Sequence, residues 1–171
     1  MTTTAPETAS EVGIFRHQAG MVRAVVRMNL ESVTHEESLA RPEPGGNCLN
    51  WVLGHLLVVY NHFLPLVGQA PVMEPSTLAR YDRGSAPLTD PAEALPLADL
   101  VAAWERTVER VDAGLGTLTP DVLDRPAPHS PSGDPDETVR SLVSTVLFHQ
   151  AYHAGQAGVL RRVAGKPGAI A

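Results

Sequence analysis

The chain has 171 residues, 43% of them hydrophobic and 19% charged, with a formal net charge of -6 at pH 7. That length suits one domain with one sizeable core, and an acidic chain whose longest basic cluster is Arg161-Arg162 lacks the concentrated positive face that nucleic-acid phosphates demand. Cys48 is the only cysteine, which excludes an intrachain disulfide and a cysteine-rich zinc site, so a metal must be held by nitrogen or oxygen.

Residues 1–8 read as a polar, disordered tail without the basic start or apolar core of a signal peptide, and a cytoplasmic location is the default expectation. Thr8-Ala9-Ser10-Glu11 has the form of a capping box. Ile14, Gln18, Met21, Val22, Val25 and Asn29 then recur at helical spacing, which predicts a first helix running to about His35. Pro42, Pro44, Gly45 and Gly46 mark a connection, and Asn47 is a plausible N-cap for a second helix from about Cys48 to Val67. This is the most hydrophobic stretch of the chain. His55, Asn61, His62 and Pro65 interrupt it, so it reads as a buried helix and not as a membrane span of roughly 18 or more apolar residues.

From Gly68 to Asp90 no period is sustained, which predicts a long loop, and loops of this length are usually functional or disordered. Asp90-Pro91-Ala92-Glu93 resembles a helix start that Pro96 breaks. A third helix from about Leu97 to Leu115 carries the apolar stripe Leu97, Leu100, Val101, Trp104, Val108, Val111 and Leu115, with a charged, solvated opposite face. A second proline-rich loop follows. Asp134, Pro135 and Glu137 then form a start signal for a fourth helix to about Ala164. Four amphipathic helices without alternating apolar segments predict an all-α four-helix bundle over residues 1–171, with a long connection between helices 2 and 3.

Histidines occupy apolar stripes in two of these helices. His149 and His153 stand one turn apart on one face, among Val139, Leu142, Val146, Gln156 and Leu160. A buried polar group without a partner costs on the order of 2 kcal/mol or more, so each ring nitrogen requires a hydrogen bond or a metal. From these residues alone, two satisfied core histidines and a metal site are equal readings. The second helix supplies a third imidazole through Trp51, Val52, His55, Val59 and His62, and in a bundle His55 can converge with His149 and His153. Three neutral imidazoles with one open position suit divalent Zn, Ni or Fe. His17, His35 and His129 have no partner at ligand spacing and read as surface residues.

Asn50-Trp51-Val52-Leu53-Gly54-His55-Leu56-Leu57, with His149-Gln150-Ala151-Tyr152-His153-Ala154-Gly155-Gln156 far downstream, resembles the DinB-like superfamily. That family includes YfiT-like metal-dependent hydrolases and thiol-dependent transferases and is unrelated to the DNA polymerase that shares the DinB name. The resemblance implies an up-down-down-up bundle, often dimeric, with a divalent metal held by His55, His149 and His153. Around these ligands, Gln156 is a candidate to orient an imidazole or hold a water, His62 and Trp51 to line the cavity, Tyr152 to pack beside the pair, and Asp82 and Arg83 to close over the mouth.

Two functions follow from that reading. The first is a metal-dependent enzyme acting on a small molecule, either a hydrolase or a transferase that uses a low-molecular-weight thiol. Gln150 stands where the H-E-x-x-H pattern places its general base, so hydrolysis loses ground and the catalytic residues stay unassigned. The second is a non-catalytic, stress-associated metal-binding homodimer. A di-iron carboxylate centre is excluded by the missing inward Glu residues and Glu-x-x-His pairs. Neither function involves nucleic acid or a membrane.

Overall fold

The helix beginning at Cys48 is apolar on every side, and that property decides where it sits. In the computed structural model, which describes residues 10–170, it spans Leu49–Phe63 and continues as one 3-10 turn through Leu64–Val67. A helix without a polar face has to be surrounded, and all of its residues except Val59 and His62 are buried. The remaining long helices form its walls.

In chain order the α-helices are α1 (Glu11–Leu30), α2 (His35–Ser38), α3 (Leu49–Phe63), α4 (Pro75–Leu78), α5 (Leu97–Leu115), α6 (Pro120–Leu123) and α7 (Val139–Val163), and no β-strand occurs among the described residues. Four long helices carry the bundle, as the periodicity predicts, and their inner faces join in one hydrophobic cluster. Side-chain pairs fix their relative directions. Arg16 binds Asp112 and Arg23 binds Glu105, so α1 and α5 run oppositely. Asn50 reaches Leu95, Tyr60 stacks on Trp104 at 5.6 Å, and Gly114 lies against Val67, so α3 and α5 run the same way. Glu11 pairs with Arg140 near the start of α1 and α7, and the Arg161 guanidinium donates to the Asn29 carbonyl near their ends, so these two are also parallel. Such exposed ion pairs each contribute about 1 kcal/mol or less; the apolar cluster holds the helices together.

Element boundaries differ from the expectation in five places. Thr8 and the 1–8 tail lie outside the described residues; the cap seen is Ser10, whose hydroxyl accepts from the Gly13 N–H. The first helix stops at Leu30 and not His35, because Ser32 takes a left-handed φ of 62° and Thr34 with Glu37 forms a fresh capping box for α2. Cys48, not Asn47, is the N-cap of α3, without a side-chain bond. The last helix begins at Val139 and not at Asp134, because Ala127 and Val139 donate to Glu137 and Arg125 across a short antiparallel pairing that keeps residues 137–138 extended. Asp134 caps only a turn, accepting from the Asp136 N–H, and Thr138 caps the helix.

The fifth difference matters for the site. The segment from Gly68 to Asp90 is not an open loop: it holds α4 and a 3-10 turn at Ala79–Tyr81, and it sends Leu78, Tyr81 and Leu88 into the core. Asn61 moors its start, accepting from the Val72 and Met73 N–H groups and donating to the Met73 carbonyl. Among the described residues no helix is long and apolar enough to cross a membrane.

Candidate metal centre

A missing side chain on α3 opens the space in which the site forms. A Cβ at Gly54 would stand 2.2 Å from the Tyr81 ring, so only glycine lets that ring lie flat on the helix. The Tyr81 hydroxyl then donates to Asn50 Oδ1 at 3.0 Å and accepts from the Leu95 N–H at 2.7 Å. Its carbonyl is thereby presented to His55, whose Nδ1–H donates to it at 2.9 Å. This bond selects the tautomer, leaving Nε2 as a lone pair aimed across the bundle. Trp51, one turn earlier, stacks on the His55 ring at 4.8 Å and anchors the same segment through its indole N–H to Ser85 Oγ.

Facing His55 is α7, where the one-turn spacing sets His149 and His153 side by side with ring centroids 4.5 Å apart. His153 Nδ1–H donates to Gln156 Oε1 at 2.7 Å, which again frees Nε2. The His149 Nε2 lies 3.2 Å from His55 Nε2. One ligand nitrogen from each of the three histidines falls within 4.8 Å of the others. Ligand nitrogens sharing a tetrahedral zinc at about 2.0–2.1 Å stand roughly 3.3 Å apart, close to the separation of the first pair. The donor set is therefore three imidazole nitrogens, with His55 and His153 already turned by their neighbours.

Electrostatics favour, at His149 and His55, the neutral form that a metal requires. Burial lowers the His149 pKa to about 4, helped by His153, His55 and Arg83. The His55 pKa is also lowered, chiefly by burial, against the opposing pull of the Tyr81 carbonyl. His149 Nδ1 is buried without a partner, a polar atom whose cost the site has to offset. Two neutral rings with converging nitrogens can share one proton, His149 Nε2–H donating to His55; a cation at the meeting point satisfies all three nitrogens at once.

The other candidates separate cleanly. Gln156 and Trp51 touch histidines of the trio, and the Tyr152 ring stands edge-on to His153 at 5.1 Å. Arg83 lies near enough for its charge to act on His55 and His149, while Asp82 Oδ1 accepts from the Arg83 N–H and shapes the turn. His62 is exposed and outside the three-histidine group. Gln150 is fully buried and donates to the Leu56 carbonyl, a structural bond between α3 and α7. Tyr81, Asn50, Gly54 and Ser85 had no assigned role in the sequence; the only signal was that Tyr81 opens the Tyr-Asp-Arg-Gly run. Two shallow hollows lie elsewhere on the bundle, one of about 150 Å³ over Tyr60 and one of about 240 Å³ between α1 and α7. Neither reaches the histidines, which are approached through the half-exposed side of His149 and His153.

The family model described as the DinB superfamily matches residues 18–157, a span that contains all three histidines. The chain belongs to the DinB superfamily. No curated protein matches it. Among solved structures, a conserved protein from Enterococcus faecalis is similar over 91% of this chain and 98% of its own, with a TM-score of 0.71 and 16% identity. At that identity the likeness speaks for the fold, and it agrees with a DinB-like all-helical architecture.

Proposed function

We propose that this DinB superfamily member is a metal-dependent enzyme that transfers a low-molecular-weight thiol to or from a small molecule, with His55, His149 and His153 holding one divalent cation. The observation that carries this reading is the donor set: three imidazoles converge, and Gln150, beside His149, is spent on a backbone carbonyl. Metal-assisted hydrolysis usually relies on a neighbouring carboxylate to take a proton from water, and the metal-competent group contains none. A thiol needs less help, because its ordinary pKa of about 8.5 is already near neutrality. When bound, a divalent zinc, nickel or iron ion supplies a Lewis acid that lowers that pKa further.

The chain's own residues prepare the centre. The Tyr81 carbonyl and the Gln156 amide fix two ring orientations, the Trp51 face packs against His55 on the dry side, and Arg83 adds a positive charge at the mouth that attracts an anionic thiol or substrate. Cys48 takes no part: it is buried, and burial raises its thiol pKa. The test is a cobalt-substituted sample titrated with a panel of small thiols. Altered visible bands with at least one thiol support transfer. Bands that respond to none of them, with metal bound, leave a non-catalytic metal-binding protein.

A further inference from the structure

One seam of the bundle carries a hollow and a set of polar atoms that the histidine chemistry does not use. The histidines meet between α3 and α7, whereas the hollow of about 150 Å³ opens between α1 and α5. Two ion pairs bracket it, Arg16 with Asp112 at one end and Arg23 with Glu105 at the other. Between these pairs α1 lines the hollow with Ala19 and Gly20, and α5 lines it with Val108 and Val111. A Cβ at Gly20 would meet nothing within 4 Å. Glycine inside a helix is less stable than alanine, and no neighbour in the chain requires it here.

Tyr60 of α3 completes the lining. It is fully buried, and its hydroxyl has no hydrogen-bond partner. Trp104 stacks on it at 5.6 Å, and Thr107 lies one turn further along α5; both are buried, with the indole N–H and the hydroxyl likewise unpartnered. Most buried side-chain polar atoms are hydrogen-bonded, so three orphans at one level of the bundle mark a place where a molecule from outside the chain supplies the bond.

The chemistry of that molecule follows from the donors and the rim. An indole can only donate and both hydroxyls can donate, while burial raises the Tyr60 pKa and keeps its phenol neutral. The complementary group is an accepting oxygen. Arg16 and Arg23 are answered by Asp112, Glu105 and Glu109, so the rim has no surplus positive charge to draw an anion. Alanine and valine walls suit a short apolar body, and the volume equals that of about five waters at roughly 30 Å³ each.

We propose that the hollow between α1 and α5 is a second small-molecule site, separate from the histidine centre. It takes a neutral compound with a short apolar body and one accepting oxygen, to which the Tyr60 hydroxyl donates. The site stands whether or not the histidines bind metal.

The test is nitrogen–proton correlation NMR on the full labelled chain, titrated with isobutyramide, cyclopentanone and cyclopentanol. At least one of them is expected to shift the Trp104 indole and Gly20 amide signals saturably, with the Trp51 indole beside His55 unmoved. Half-saturation is expected at about 1 mM, a modest affinity for a probe of about six non-hydrogen atoms. Isobutyrate, of the same shape as isobutyramide but negatively charged, is expected to bind more weakly. Tyr60→Phe removes a hydroxyl that bonds to nothing in the chain, so the fold is retained and affinity is expected to drop about five- to tenfold. Gly20→Leu guards that variant: its side chain enters open space, fills the hollow from α1 and is expected to block binding. Signals that respond to none of the three neutral probes leave water as the only occupant and overturn the proposal. So does isobutyrate binding as tightly as isobutyramide, or a folded Tyr60→Phe chain that binds as well as wild type.

Discussion

His55 and the α7 pair meet at one point but are held by different means. His55 is buried, stacked by Trp51 and bonded to a carbonyl that Gly54, Asn50 and Leu95 together keep in place. His149 and His153 are half-exposed, and of the two only His153 has a side-chain hydrogen-bond partner outside the trio. One half of the centre is therefore built into the core, and the other is carried on a single helix whose rings can adjust. Preorganisation on one side and freedom on the other suit a site that must accept a ligand and release it.

The largest effect is expected where the trio loses a member. His153→Ala or His55→Ala should abolish metal binding, measured as metal per chain by elemental analysis; equal content in mutant and wild type would sink the ligand assignment. Next comes the rigid half. Gly54→Ala pushes a methyl into the Tyr81 ring and is expected to cost about 3 kcal/mol, in the upper range of core overpacking, read from urea unfolding. The adjustable half should respond more mildly: Gln156→Ala frees the His153 ring and should weaken metal affinity roughly 10–100-fold without a change in unfolding midpoint. Tyr81→Phe leaves the Leu95 N–H and Asn50 Oδ1 short of a partner, at about 1–2 kcal/mol. If Gln156→Ala proves as destabilising as Gly54→Ala, the contrast between the halves is wrong.

A further effect is with pH. His149 has a folded pKa near 4 against an ordinary 6.5, so between these values the unfolded chain binds the additional proton. Stability of the metal-free protein should be flat above about pH 6.5 and fall as the pH drops toward 4, with His55 acting in the same direction. Urea midpoints across that window, compared with those of His149→Gln, isolate the contribution; an unchanged slope in the variant assigns it elsewhere.

The bundle and the histidine trio could be read from residue spacing because both rest on helical periodicity, which a short window of residues expresses. The span of α5 and the convergence of His55 with His149 and His153 are of this kind. The Tyr81 support was not legible, since nothing local says that an aperiodic segment will fold back onto a glycine 27 residues earlier. Gly54 in an apolar run looks like a mild defect until the ring that needs it is in view. The start of α7 failed for another reason: Asp134-Pro135 and Thr138 are both competent signals, and the pairing of residues 125–127 with 137–139, a non-local contact, chose between them. The capping box Thr34-x-x-Glu37 was readable and would have ended the first helix at the right place.

Cys48 offers a last consequence. As the chain's sole thiol, fully enclosed at the head of α3 and close enough to Tyr81 to influence its hydroxyl, it is inert while this end of the molecule stays shut. An alkylating reagent can tag it only during excursions that open the head of α3, so the labelling rate is a built-in stopwatch for breathing at this end of the helix. Loading the protein with metal should slow that stopwatch in proportion to how firmly the ion staples α3 to α7.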